Sequence, residues 1–194
     1  MRLVAFLIYV GIAAAAICFT TEPRTTRWCP ATDCDKVGSA GGHTRIDCIW
    51  NQGGPTGQGK RLWGYNKAQK SFIPVARLRN CHTDITSIPK CVVRPETPGL
   101  GLTGPPSADC TVVGQGTAQP RTCPSKSCDP SGSAISTAFN PVKRQINCVW
   151  DNGAKVPGGG ENKQWGYNEA QKNFIWAGRL QCNLGGIPKC VVGP

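Results

Sequence analysis

Apolar residues in this chain come in short bursts rather than stripes. No window carries a long apolar stripe at helical spacing, and Gly or Pro interrupts nearly every stretch that could begin one. β-Favouring residues alternate or cluster instead. Arg45-Ile-Asp-Cys-Ile-Trp50 and Lys143-Arg-Gln-Ile-Asn-Cys-Val-Trp150 predict strands, as do the shorter Ser71-Phe-Ile and Asn173-Phe-Ile-Trp. Turn signals follow two of them directly, at Asn51-Gln-Gly-Gly and Asp151-Asn-Gly. Many short strands separated by turns predict an all-β protein, a small barrel or sandwich. The one long apolar run is at the start. Met1-Arg2 is basic, Leu3 to Ile12 is apolar, and Ala13 to Ala16 are small, the three regions of a secretory signal. The run is shorter than the ~20 residues of a spanning helix. A cut after Ala16 is expected, with signal peptide 1–16 removed and the mature chain secreted, extracellular and without an integral membrane segment.

The rest of the chain is written twice. Trp63-Gly-Tyr-Asn-Lys-Ala-Gln-Lys-Ser-Phe-Ile73 returns as Trp165-Gly-Tyr-Asn-Glu-Ala-Gln-Lys-Asn-Phe-Ile175, and Ile88-Pro-Lys-Cys-Val-Val93 returns as Ile187-Pro-Lys-Cys-Val-Val192. Arg77-Leu78 matches Arg179-Leu180, and Asp47-Cys-Ile-Trp-Asn51 matches Asn147-Cys-Val-Trp-Asp151. The same order throughout indicates duplication. The division predicted is a first repeat at 17–93, a Pro/Gly-rich linker at 94–108 and a second repeat at 109–194.

The 12 cysteines divide the same way. Cys18, Cys29, Cys34, Cys48, Cys81 and Cys91 fall in the first repeat; Cys110, Cys123, Cys128, Cys148, Cys182 and Cys190 fall in the second. Two even sets predict three disulfides per repeat, with 15 possible connectivities each. This cysteine load suits an oxidising, extracellular compartment. A zinc site fits poorly, because tight Cys-x2-Cys pairs are missing and His does not repeat. No metal and no cofactor is expected. Repeats of this size bury little surface, so bridges are needed as staples.

The order of motifs resembles bacterial SH3-like domains. The early loop is Cys123-Pro-Ser-Lys-Ser-Cys128, more loosely Cys29-Pro-Ala-Thr-Asp-Cys34. An Ile-x-Cys strand, a Gly-rich loop, Trp63 or Trp165 and a closing strand leading to Leu78 or Leu180 follow. Phe72-Ile73 and Phe174-Ile175 replace the Gly-Tyr-Val usual in that closing strand, and the Ile-Pro-Lys-Cys-Val-Val tail is an addition. The resemblance implies two small disulfide-stapled SH3-like β-barrels in tandem, used for binding, often to cell-wall material, with no chemistry of their own.

A search for catalytic groups supports that expectation. The two histidines, His43 and His82, both lie in the first repeat, and no Gly-x-Ser-x-Gly motif occurs. Paired cysteines leave no thiolate nucleophile. Asp47 becomes Asn147 while Asn51 becomes Asp151, so no carboxylate pair holds its place in both copies. Asp33 and Asp35 correspond to Ser127 and Asp129, which turn formation explains. The chain is expected not to be an enzyme.

The aromatics carry the binding expectation. Trp50 and Trp150, beside a strand cysteine, are expected in the core. In Trp63-Gly-Tyr65 and Trp165-Gly-Tyr167 the glycine places both rings on one strand face, either as a stacking platform or as a core Trp with a surface Tyr. Trp28 and Trp176 have no match in the other copy, so a shared core does not require them, and exposed contacts are expected there. Charge points the same way. The chain has 22 Lys+Arg against 11 Asp+Glu, a formal net charge of +11, and both repeats are separately basic. Acidic partners follow: wall polymers, anionic membrane surfaces or acidic proteins. No basic run is long enough for nucleic acid. The expectation is a secreted non-enzymatic protein that recognises extracellular or cell-wall polysaccharide through exposed aromatics and positive charge, with avidity if both repeats engage. The alternatives are a cysteine-rich effector or toxin that binds a host protein, and a secreted hydrolase or hydrolase inhibitor.

Overall fold

A computed structural model describes residues 15–56, 59–97, 107–114, 116–136 and 141–194. The signal segment up to residue 14 and most of the predicted linker lie outside the described residues. The protein is all-β, with four single-turn 3-10 helices as its only helical elements among the described residues. The first copy forms β1 (Ala16–Arg27), β2 (Lys36–Ile46), β3 (Cys48–Trp50), β4 (Trp63–Asn66), β5 (Ser71–Pro74) and β6 (Val92–Pro95). The second forms β7 (Ala108–Val112), β8 (Thr117–Ala118), β9 (Ile135–Ser136), β10 (Val142–Ile146), β11 (Cys148–Trp150), β12 (Trp165–Asn168), β13 (Asn173–Trp176), β14 (Leu180–Gln181) and β15 (Cys190–Gly193). In the first copy one sheet runs β2-β1-β5-β4-β3, and in the second the corresponding strands divide into β10-β7-β14, β11-β12-β13 and β8-β9. Ala16 opens β1, is fully buried and pairs with Ile46, as Ala108 pairs with Ile146. A cut after Ala16 therefore removes a residue of the first strand.

Each long strand predicted from the sequence is two strands with a corner between them. The corner residues are Asp47 and Asn147, and their side-chain oxygens hold the turn. Asp47 Oδ2 accepts from Lys67 N at 2.8 Å, and Asn147 Oδ1 accepts from Glu169 N at 2.9 Å. The corner needs an acceptor oxygen, not a charge, so the exchange of Asp for Asn costs the fold little.

The repeated Trp-Gly-Tyr-Asn segment forms the first arm of a hairpin whose turn is locked by its asparagine. Asn66 donates to Arg45 O at 3.0 Å and accepts from Gln69 N at 2.9 Å; Asn168 makes the same pair with Gln145 O and Gln171 N. The glycine of this segment is required by close packing. A Cβ on Gly64 would stand 2.8 Å from Ile46 Cδ1, and one on Gly166 would stand 2.7 Å from Leu180 Cδ1.

Six disulfides staple the two copies, three in each and with one pattern. Cys18–Cys81, Cys29–Cys34 and Cys48–Cys91 are repeated as Cys110–Cys182, Cys123–Cys128 and Cys148–Cys190.

The copies pack against each other about a local two-fold axis. β6 pairs with β15, and the equivalent residues Val93 and Val192 face each other directly. Around that contact Val191 faces Arg94 while Val92 faces Gly193, the same relation seen from each side. Behind the ribbon the aromatics interlock. Trp50 meets Trp150 edge-on at 6.5 Å, Trp50 lies 6.1 Å from Phe174, and Phe72 lies 6.1 Å from Trp150. Trp50 and Trp150 are core residues, as expected, but the core is one that both copies build together. The corresponding ion pairs Arg61–Asp129 and Lys163–Asp35 cross the seam at its rim. They are partly exposed to solvent, and the aromatic packing dominates.

Candidate functional site

The structure sorts the six aromatic candidates into two groups. Trp63 and Trp165 are buried at 0% and 1% exposure. Their indole N–H groups donate to Gly54 O at 3.0 Å and Ala154 O at 3.1 Å. They fill the core, which corrects the stacking-platform option for these two rings. Tyr65 and Tyr167 share that inward face and pack on Phe72 and Phe174 at 4.8 and 4.9 Å. Burial, aided by the charge of Asp47 or Glu169, raises both phenol pKa values above their ordinary value. Each is 6% exposed, too little to offer a ring face for stacking. The physical reason is that both sides of β4 and β12 are covered.

Trp28 and Trp176 remain half-buried, and each lines a cleft. Trp28 stands at the seam between the copies, in a cavity of about 230 Å³ with Tyr65, Lys70, Glu96, Asp151 and Lys189. A mate of this cleft, related by the local two-fold, has Thr122 in place of Trp28, and Asn51 and Gln52 in place of Asp151 and Asn152. The charges in the Trp28 cleft are mixed. Lys189 Nζ already pairs with Asp151 Oδ2 at 2.7 Å.

Trp176 ends β13 and walls a cavity of about 500 Å³ in the second copy. Arg121, Lys126 and Arg179 line the same cavity, and no carboxylate stands among its described lining residues. The elements that hold the indole are peculiar to this copy. Its Nε1 donates to Asn162 O at 3.2 Å. The ring lies against two glycines. A Cβ on Gly159 would come within 2.2 Å of Cζ2, and one on Gly178 within 2.2 Å of Cη2. The first copy has Pro74 and Ala76 where the second has Trp176 and Gly178, and its loop before the Trp is shorter. Ring, seat and covering loop thus differ together. Arg121 is anchored as it lines the cavity, its Nη1 donating to Cys128 O at 3.0 Å. Arg179 Nη1 donates to Val113 O at 3.4 Å.

Other groups weighed for chemistry lie elsewhere. His43 and His82 both stand beside Phe19, with ring centroids at 4.2 and 6.2 Å. All twelve cysteines are paired. Among the described residues no cluster of three or more His, Cys, Asp or Glu is placed to hold a metal, and no helix is long and apolar enough to cross a membrane. Nothing in the local sequence marks Arg121 and Lys126 as site residues; only the fold brings them to the Trp176 cleft. Comparison with protein-family models, curated proteins and solved structures finds no match to this chain.

Proposed function

We propose that this is a secreted, non-enzymatic binding protein, built from two fused SH3-like units, that holds an extracellular or cell-wall polysaccharide in the Trp176 cleft. One observation carries this. The cleft combines a fixed, partly exposed indole with three cationic side chains and no carboxylate among its described lining residues. Sugar-binding surfaces need an aromatic wall to desolvate a ring and polar groups to orient it. The cations favour an acidic polymer. Binding is assigned to the second copy, so duplication serves to build a stable framework rather than two equal sites. The test is co-sedimentation with insoluble chitin, β-glucan, peptidoglycan and cross-linked polyuronate. Retention on the polyuronate that Trp176→Ala abolishes supports the proposal, and retention on none of the four removes it. A protein partner is the second reading. It draws on Val92 and Val191, exposed at 43% and 39% on the β6–β15 ribbon.

A further inference from the structure

The β6–β15 ribbon turns one face to the core and the other to solvent. Residues directly opposite each other in an antiparallel pair share a side. Val92 stands opposite Gly193 and Arg94 opposite Val191, so these four lie on one face, while the buried Val93 and Val192 lie on the other. Val92 and Val191 are among the few exposed large apolar residues of the described chain, and both belong to this outer face. Lys90 and Lys189, two residues before the valines, are exposed as well.

A cleft flanks the ribbon on each side, and the local two-fold relates the two. Their charges differ. In the cleft beside Val191, Lys70 and Lys189 are matched by Glu96 and Asp151, and Lys189 Nζ pairs with Asp151 Oδ2 at 2.7 Å. The cleft beside Val92, of about 350 Å³, has Lys172 and Lys90 at the corresponding positions, but Asn51 stands where Asp151 would. No carboxylate lines it among the described residues, and neither lysine takes part in an ion pair there. Exposed valines thus sit beside two unmatched cations.

This combination selects a partner. Covering the valines gains from removing apolar surface from water, and the lysines gain from carboxylates brought to them. A uronate ring supplies the carboxylate but sets hydroxyls against the valines, which leaves them unpaired. A second copy of this chain brings the same positive charge to the face. An aliphatic side chain between acidic ones meets both requirements.

We propose that the outer face of the β6–β15 ribbon, with the Lys90–Lys172 cleft beside it, docks a protein segment that carries an aliphatic side chain flanked by Asp or Glu. This deepens the protein-partner reading and rests on it, and it is independent of the Trp176 cleft. Asn51 is the residue that leaves the site open. An Asp in its place would neutralise Lys90 from within, as Asp151 neutralises Lys189.

The experiment is an NMR titration of the isotope-labelled full mature chain with a blocked peptide of sequence Asp-Glu-Leu-Glu-Asp. The controls are Asp-Glu-Ser-Glu-Asp, Lys-Lys-Leu-Lys-Lys and trigalacturonate. The first peptide should shift the backbone amides of Lys90 to Arg94 and Lys189 to Gly193. Replacing its Leu by Ser, or Val92→Ser in the protein, should weaken binding about 3- to 10-fold. Asn51→Asp, which carries the residue of the second copy, should weaken it about 2- to 5-fold, and Asp151→Asn should strengthen it by a similar factor. No shift of these amides at millimolar peptide overturns the proposal, as does equal binding of the Leu and Ser peptides or of wild type and Asn51→Asp. Trigalacturonate moving the ribbon amides as strongly would assign the face to glycan, and shifts that grow with protein concentration alone would assign it to self-association; each overturns the proposal. The indole N–H signal of Trp176 reports the other cleft separately, so either site can fail without the other. Should Asn51→Asp fail to fold, Val92→Ser and the Ser peptide decide.

Discussion

Asp33 and Ser127 occupy equivalent positions in the two copies and bond to each other across the local two-fold, Ser127 Oγ donating to Asp33 Oδ1 at 2.9 Å. Ser125, fully buried, adds its hydroxyl at 2.7 and 2.6 Å from the two carboxylate oxygens. A symmetric pair of identical subunits would set Asp against Asp or Ser against Ser here. Fusion into one chain permits one of each. Ser125→Ala should therefore lower stability by about 1.5–3 kcal/mol, the range for hydrogen bonds to a charged group. Ala31 stands at the matching place in the first copy, so the smaller side chain is tolerated there. Denaturant titration checks this. A midpoint that does not move contradicts the bond's role.

The shared aromatic core predicts that the copies unfold together. Trp50→Ala removes a ring that touches both, and should cost about 3–5 kcal/mol. Its melting curve should stay a single transition that moves as a whole. Two separated transitions, with the second copy unaffected, would show that the halves are independent domains.

The bridges should differ in worth according to the chain they enclose. Cys18–Cys81 spans 63 residues and Cys29–Cys34 spans 5. Loop-closure entropy assigns about 4 kcal/mol to the first and about 2 kcal/mol to the second. Replacing each pair by Ala and measuring thermal midpoints under oxidising conditions tests the order. An equal or reversed ranking contradicts it.

Alkaline pH should unfold the protein through its two buried tyrosines. Burial raises the pKa of Tyr65 and Tyr167 in the folded state. The unfolded chain therefore loses these protons first. Stability is intact below the ordinary tyrosine pKa near 10 and falls as pH rises beyond it. Tyr65→Phe with Tyr167→Phe should flatten that decline, read as the thermal midpoint against pH. The same alkaline slope in the double variant would place the sensitivity elsewhere.

Much of this was written in the chain, and the parts that were not share a cause. The repeat was legible because identical short segments recur in order. The even sets of cysteines were legible because a covalent partner must exist for each. The corner at Asp47 and Asn147 was hidden, since β propensity runs straight through it and only the hydrogen bonds to Lys67 and Glu169 reveal the turn. The period of two placed Trp63 and Tyr65 on one face, but no local pattern says that both faces of this strand are covered. The seam was hidden for a similar reason. Trp50 and Trp150 read as core residues in any arrangement, and nothing near them marks the core as shared. The useful signal for the site was a mismatch. Trp176 departs from the repeat, and Gly178 departs with it to make room.

The most direct test is retention of wild type, Trp176→Ala and Trp28→Ala on immobilised polyuronate and on a neutral glucan, at rising salt. Wild type and Trp28→Ala should be held by the acidic polymer and released by salt as the cations are screened. Trp176→Ala should bind it at least about tenfold more weakly, measured at a temperature well below its own lowered melting midpoint, where the variant is still folded. The neutral glucan should hold none of them. Undiminished retention of Trp176→Ala, or equal retention of wild type on both polymers, would contradict a cationic glycan cleft in the second copy.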